Sequence, residues 1–397
     1  MELTKKQQQG LDLAVQRYRE GKPYTIISGY AGSGKSTLIK FIISALDVDP
    51  ENDVAYVAFT GKAATVLAKK GCPNATTAHK LLYKAVPKAD GTYIFKPVPR
   101  GSLYYKVIVV DEISMLPAMM WYQLLSHGIY IIAAGDPFQL PPINPTDDNH
   151  MLDNPHIFLD EIMRQAKDSE IIRLSMWIRE GNDIKDFPCS NEEVKIMRKE
   201  ELVSGVYTWA DQILCATNAT RTNINNKMRR WQGRGIEPEI GDKIVSLTNH
   251  WDDISMANHI PLTNGSIGFI SGYDIVSQRV PKHITADPIT YMYTDIELED
   301  EVDHFTSVPI DYEYLTTGEL ALTPHQCYQL RKSKKTDLEP PYDFAYAYAL
   351  TVHKYQGSEA PKILVFEERF PFDKQEHAQW LYTACTRASK RLVVVRK

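Results

Sequence analysis

Gly29-Tyr30-Ala31-Gly32-Ser33-Gly34-Lys35-Ser36 is the stretch on which the fold turns. It has the form GxxxxGK[ST], which cradles phosphate only when a strand precedes it and a helix follows. Both are legible. Residues 24–28 (YTIIS) are a short β-branched and aromatic run, and residues 35–46 carry a helical apolar period. The glycines let successive backbone N–H groups wrap a phosphate, and the helix N-terminus adds positive potential. Gly32, Ser33, Gly34 and Thr37 complete the loop. Lys35 is set to meet the β- and γ-phosphates of ATP, and the Ser36 hydroxyl to bind Mg²⁺.

Outward from this loop the chain repeats the same alternation. Residues 54–59 (VAYVAF) lead into a helical pattern over 62–70, and 106–110 (KVIVV) and 129–134 (IYIIAA) are further buried-type strands. Strands alternating with helices predict βαβ units and a parallel sheet. The alternation resumes at 212–217 (QILCAT), the helical 219–231, 362–366 (KILVF) and 391–395 (RLVVV). The fold class expected is therefore α/β, with one unit over 1–152 and a second over 153–245 completed by 341–397. Short strands at 243–247, 266–275 and 289–298, turn residues and an acidic run at 295–303 make 246–340 an all-β insertion. The acidic run itself reads as a solvated face.

Val107-Ile108-Val109-Val110-Asp111-Glu112 is a buried-type strand ending in two acids. Beside a phosphate loop, Asp111 suits a metal-holding carboxylate and Glu112 a base that polarises the attacking water. Helix capping by the same pair is compatible with that chemistry. No NKxD-like guanine reader is present, nor a transporter-type signature before the acidic pair.

Composition narrows the setting. The 397 residues correspond to about two to four domains at roughly 100–200 residues each. With 43% hydrophobic and 24% charged residues the chain can bury more than one core. No apolar run approaches the ~20 residues that span a bilayer, and MELTKKQQQG has no apolar signal core, so a cytoplasmic protein is expected. The five cysteines are dispersed without a CxxC pair. Lys and Arg number 45 against 50 Asp and Glu, a formal charge of −5. Electrostatic coating of nucleic acid is disfavoured by that balance, so any such binding must use a local groove.

Eight short segments, in order, resemble the motifs of superfamily 1 helicases of the RecD/Dda branch. Leu3-Thr4-Lys5-Lys6-Gln7 resembles the Q motif, Phe59-Thr60-Gly61-Lys62-Ala63-Ala64 motif Ia, and Thr76-Thr77-Ala78-His79 motif Ib. Asp111-Glu112-Ile113-Ser114-Met115 resembles motif II, and Gly135-Asp136-Pro137-Phe138-Gln139-Leu140-Pro141-Pro142 motif III. Arg164, in Glu161-Ile162-Met163-Arg164-Gln165, stands where motif IV places an arginine. Thr351-Val352-His353-Lys354-Tyr355-Gln356-Gly357-Ser358-Glu359 resembles motif V, and Leu381-Tyr382-Thr383-Ala384-Cys385-Thr386-Arg387-Ala388 motif VI.

The resemblance implies two RecA-like P-loop NTPase domains with ATP and Mg²⁺ between them. A small hairpin would be inserted in the first domain and an SH3-like β insertion in the second. It implies that Gln7 bonds adenine, that Gln139 meets the γ-phosphate, and that Arg164 and Arg387 act as arginine fingers from the second unit. Gln356, Gly357 and Glu359 would complete the nucleotide site, Glu359 on the ribose. Thr60, Lys62, Thr77 and His79 with Thr217, Asn218, Thr351, His353 and Lys354 would line a track for single-stranded DNA. Residues of these types suit phosphate and sugar contacts that carry no sequence information. Residues 83–105 contain Asp90-Gly91, a turn signal flanked by Tyr93 and Phe95. They stand where the branch carries a strand-separating pin, so the two aromatics are candidates to stack at a junction of single- and double-stranded DNA. The implied activity is ATP-dependent, 5′-to-3′ unwinding by a monomer, with replication or recombination proteins as partners. Open alternatives are an RNA helicase of the same superfamily and an ATP-switched DNA-binding recombination accessory protein that does not unwind. A metabolic P-loop kinase leaves the second half of the chain without a purpose.

Overall fold

The computed structural model describes residues 3–87, 93–141, 150–163, 168–256, 261–299, 303–333, 335–368 and 373–396. The chain forms two compact units. One comprises Met1–Tyr83, Pro97–Thr217 and Thr351–Lys397, the other Lys84–Lys96 and Asn218–Leu350.

In the first unit α1 (Lys5–Arg19) precedes β1 (Tyr24–Gly29), α2 (Lys35–Ala45), β2 (Val54–Ala58), α3 (Gly61–Lys69), β3 (Thr76–Thr77) and α4 (Ala78–Leu82). A hairpin of β4 (Tyr83–Pro87) and β5 (Tyr93–Pro97) interrupts this alternation. It resumes with β6 (Val107–Val110), α5 (Ala118–Ser126), β7 (Tyr130–Gly135) and β8 (Ile157–Leu159). The sheet order is β3-β2-β6-β7-β1-β8, with parallel neighbours. Every residue of β2, β6 and β7 is buried, because both faces are covered. Ile27, Val54, Val107, Val109 and Ile132 pack with Leu38 and Ile42 of α2. The alternate residues Ile26, Val57, Ile108, Val110 and Ile131 pack with Leu81, Trp121 and Leu124 on the opposite face. This period of two within continuous apolar runs is what a sheet buried on both sides requires.

The same unit holds a second parallel sheet. Within the unit it runs β10 (Gln212–Cys215), β19 (Ala360–Phe366), β20 (Ala388–Arg396) and β9 (Val194–Arg198). It carries α6 (Glu170–Arg179) and α8 (Lys374–Cys385), and α8 starts at a capping box on Asp373.

In the second unit an antiparallel sheet runs β16 (His304–Asp311), β15 (Ile289–Leu298), β14 (Ile267–Gln278), β11 (Lys243–Ser246) and β17 (Phe344–Tyr346). Beside it lie the pair β12 (His250–Ile254) and β13 (Pro261–Leu262), and β18 (Ala349–Thr351) leads back to the first unit. Gly268 is required in β14, since a Cβ there would lie 2.6 Å from the Glu297 carbonyl oxygen. α7 (Asn218–Trp231) belongs here because its polar residues are anchored here. Arg229 is buried, donates to both carboxylate oxygens of Asp242 at 3.0 and 3.1 Å, and lies over the Tyr346 ring. The Asn225 carboxamide donates to the Tyr346 and Ala349 carbonyls.

Several sequence expectations need correction. The boundary at 246 cuts through β11, and β17 lies beyond 340 although it belongs to the same sheet. The insertion is not all-β. Asp311 caps a helix at Tyr312–Thr317, and a Thr323/Gln326 capping box with Pro324 starts another at Pro324–Lys332. The acidic run is not simply a solvated face. Asp295 and Glu297 are exposed on β15, whereas Glu299 pairs with the buried Lys243 and Asp303 is buried. Both parallel sheets fall in one compact unit, and β8, which lies beyond 152, pairs with β1 in the first of them. Among the described residues no helix is long and apolar enough to cross a membrane.

Candidate active site

Parallel neighbours β6, β7 and β1 end at one edge of the first sheet. That edge therefore gathers Asp111-Glu112, the Asp136–Leu140 loop and the phosphate loop, where ligands bind open α/β sheets. The phosphate loop turns on Gly32 (φ 75) and Gly34 (φ 83), and Gly34 sits at the N-terminus of α2. A Cβ at Gly29 would lie 2.7 Å from the Ser33 hydroxyl and 2.9 Å from the Leu159 carbonyl oxygen, so only glycine fits. Lys35 Nζ donates back to the Gly29 and Tyr30 carbonyls at 2.6 and 3.1 Å.

Glu112 follows β6 in a left-handed conformation, φ 52, which is strained for a side chain without local compensation. Burial pushes the Asp111 and Glu112 carboxyls above the ordinary carboxylate range. For Glu112 the facing charge of Arg387 pulls the other way. Arg387 is buried, and its Nη1 lies 3.5 Å from Glu112 Oε1. It is oriented by bonds from Nε to the Thr383 carbonyl, 3.1 Å, and from Nη1 to the Ser358 carbonyl, 3.5 Å. A cavity of about 110 Å³ lies between Lys70, Asp111, Glu112, Gly357, Glu359 and Arg387.

Segments distant in sequence thus converge. Gly357 (φ 78) approaches so closely that an added Cβ would lie 3.1 Å from Glu112 Oε2 and 3.4 Å from the Thr60 hydroxyl. Lys62 Nζ lies 4.9 Å from the centre of the Tyr355 ring. Buried Gln139 Oε1, Glu112 Oε2 and Ser33 Oγ have no hydrogen-bond partner in the protein. Unsatisfied polar atoms inside a cleft have to be met by something else. The donor set fits a metal–phosphate ligand, since Ser36 follows the loop lysine and Asp111, just past β6, lines the same cavity as Ser36.

Other expected residues have different contacts. Gln7 Oε1 accepts from Thr4 N–H, and Nε2 faces the Ser33 and Gly34 carbonyls at 3.4 and 3.5 Å, so its amide braces the phosphate loop. Gln356 is buried and donates to the Leu140 carbonyl at 2.9 Å, which holds the Gln139 loop. Glu359 pairs with Lys70 at 3.4 Å. Arg164 and the Asp90-Gly91 turn lie outside the described residues.

Among the residues expected on the track, Thr77 and Thr351 end strands and Thr60 follows β2, and each caps a helix, accepting the N–H three residues on. Each is followed two residues later by Lys62, His79 or His353, a repeated Thr-x-Lys/His pattern. Burial lowers the pKa of both histidines, so neither carries charge at neutral pH. The Thr217 N–H and hydroxyl are held by Glu368, and Lys354 follows on the helix that Thr351 caps. Asn218 opens α7 in the other unit. In the hairpin Phe95 is 48% exposed, while the side chain of Tyr93 is outside the described set.

Sequence reasoning assigned no role to Lys70, Asp136, Tyr382 or Thr383. Three of them stood inside quoted motifs, but a contact between motifs leaves no local pattern.

The AAA domain family matches residues 2–204, and a UvrD-like helicase C-terminal domain matches residues 346–395. The ATP-dependent DNA helicase dda of Enterobacteria phage T4 is 32% identical over 149 residues, 36% of this chain and 34% of the relative. The ATP-dependent RecD2 DNA helicase of Deinococcus radiodurans is 30% identical over 166 residues, 41% of this chain and 22% of the relative. These matches span about a third or less of the relatives' lengths. Bacteroides Pif1 bound to single-stranded DNA is similar in fold at a TM-score of 0.55 and 17% identity, over 99% of this chain and 92% of that one. With an AAA domain matched over just more than half of this chain, and the C-terminal motifs seated against the same phosphate loop, the chain belongs to the RecD/Pif1-like group of superfamily 1.

Proposed function

We propose that the protein is an ATP-dependent DNA helicase that moves 5′ to 3′ on single-stranded DNA and separates strands at a junction. The observation that carries this reading is the Arg387 guanidinium 3.5 Å from Glu112. A cation on the C-terminal segment beside a water-activating carboxylate at the phosphate loop makes hydrolysis depend on both parts of the chain.

Lys35 leaves the loop carbonyls to neutralise the β- and γ-phosphates of ATP. Glu112, its basicity raised by burial, takes the proton of the attacking water. Arg387 meets charge developing on the γ-phosphoryl, and the Gln139 carboxamide donates an N–H to the same group. Ser36 and Asp111 would hold Mg²⁺, which supplies charge neutralisation to the phosphates. In this reading the two parallel sheets are the cores of two RecA-like domains and the antiparallel sheet is the SH3-like insertion. Thr60, Lys62, Thr77, His79, Thr217, Thr351, His353 and Lys354 hold the sugar–phosphate backbone, and Gln7 and Glu359 flank the base and ribose. The relatives named as ATP-dependent DNA helicases support DNA over RNA.

The experiment is ATP hydrolysis with and without oligothymidylate, in the parent and in Glu112→Gln. The parent should be stimulated by the oligonucleotide. The amide variant should bind ATP yet lose about 10²–10⁴-fold in turnover, because it cannot accept a proton. An ATPase indifferent to DNA, or a variant with parent turnover, contradicts the reading.

A further inference from the structure

We propose that Tyr382 is a positioning residue for hydrolysis, its hydroxyl coupling the phosphate loop to the loop that carries Gln139. The proposal rests on the ATPase reading above.

The Tyr382 side chain is fully buried. Its hydroxyl accepts the Ala31 N–H of the phosphate loop at 2.9 Å and donates to Asp136 Oδ2 at 2.6 Å. The other carboxylate oxygen, Oδ1, accepts the Phe138 N–H at 3.0 Å, and the Asp136 carbonyl accepts the Gln139 N–H at 3.3 Å. The Phe138 ring meets the Tyr382 ring edge-on at 5.2 Å. On the far side of Gln139 the Leu140 N–H donates to the Thr383 hydroxyl at 3.0 Å. Both flanks of Gln139 are therefore clamped by consecutive residues of α8, while its Oε1 has no partner.

Arg387, just beyond the end of α8, donates to the Thr383 carbonyl and faces Glu112. A shift of α8 thus reaches the arginine, the glutamine and the phosphate loop together. A hydroxyl suits the junction because it accepts from one neighbour and donates to another. Burial raises its pKa well above the ordinary tyrosine value, so the proton that binds Asp136 is retained. Buried chains of this kind act as units rather than as independent bonds.

The test uses Tyr382→Phe, Asp136→Asn and the double variant in the full chain. Steady-state ATPase at saturating oligothymidylate is read with fluorescent-nucleotide affinity and thermal midpoint. Tyr382→Phe keeps the ring and removes only the hydroxyl. Its kcat should fall about tenfold, the order expected from losing the hydroxyl's two hydrogen bonds, one of them charge-assisted, that together orient a reacting group. KM for ATP and nucleotide affinity should stay within about twofold, since Lys35 and the loop amides remain. The double variant should lose no more kcat than the worse single, because both break one chain. Parent kcat in Tyr382→Phe overturns the proposal. So do losses that multiply in the double variant, or a fall in kcat matched by equal falls in nucleotide affinity and thermal midpoint. A parent that does not hydrolyse ATP overturns the functional reading and this inference together, whereas an active parent with an equally active Tyr382→Phe overturns the inference alone.

Discussion

Gly357 shows how closely single residues constrain the site. Its φ of 78 disfavours any side chain, and an added Cβ would press on Glu112 Oε2 and Ala63 at 3.1 Å. Gly357→Ala costs about 1–2 kcal/mol in backbone strain and pushes the carboxylate off its position. We expect kcat at saturating DNA to fall at least about tenfold while nucleotide affinity holds, since a factor of ten is only ~1.4 kcal/mol. Turnover at the parent rate would mean that Glu112 does not need its present position. The gathering of Lys35, Asp111 and Glu112 at one sheet edge was legible because phosphate chemistry demands those types just after strands. The contacts of Gln7 and Gln356 were not. Both amides turned out to brace backbone carbonyls, and an amide in a sequence does not state which carbonyl it will find. Thr60, Thr77 and Thr351 illustrate the same limit, since a threonine after a strand reads equally as a helix cap and as a phosphate contact.

Among the elements, β2, β6 and β7 were legible as runs of buried apolar residues, and α2 as the helix that a phosphate loop must open. β8 and β9 were not. β8 has three residues, and β9 sits at the edge of its sheet with the charged Lys195 and Arg198 alternating with buried Val194 and Met197. The helix at Pro324–Lys332 announced itself through Thr323, Pro324 and Gln326, a start signal masked by the surrounding strand pattern. The β4–β5 hairpin is the element with a prediction of its own. The Val98 N–H bonds the Leu82 carbonyl at 2.8 Å at its base, and Phe95 stays half exposed, so the aromatic is not used up in a core. Phe95→Ala should lower strand separation severalfold and leave DNA-stimulated ATPase near the parent value, because base stacking contributes about 1–3 kcal/mol. If ATPase, thermal midpoint and strand separation all fall together, Phe95 supports the fold and is no wedge.

For the molecule as a whole, a formal charge of −5 and burial that lowers the His79 and His353 pKa values mean that, in the proposed reading, DNA binding depends on few cations. Because burial depresses the His79 and His353 pKa values, protons bind them only below the ordinary 6.5. Affinity for oligothymidylate should therefore change little between pH 8 and pH 6, as measured by fluorescence anisotropy at fixed salt. A rise with a midpoint near 6.5 that disappears in His79→Gln or His353→Gln would show that a track histidine is charged. What the sequence conveyed at this scale was the order of the motifs. Where the chain parts into compact units was hidden, because the anchoring of α7 depends on Arg229 meeting Asp242, two polar residues in a stretch read as part of the second α/β unit. The central claim is ATP-driven 5′-to-3′ movement that opens duplex DNA. Its most direct test is strand displacement on otherwise identical DNA duplexes bearing a 5′ or a 3′ single-stranded tail, with Glu112→Gln as the control. The account predicts ATP-dependent displacement from the 5′-tailed duplex by the parent and none by the variant. Displacement from the 3′-tailed duplex alone, or from neither while ATP is hydrolysed, would contradict it.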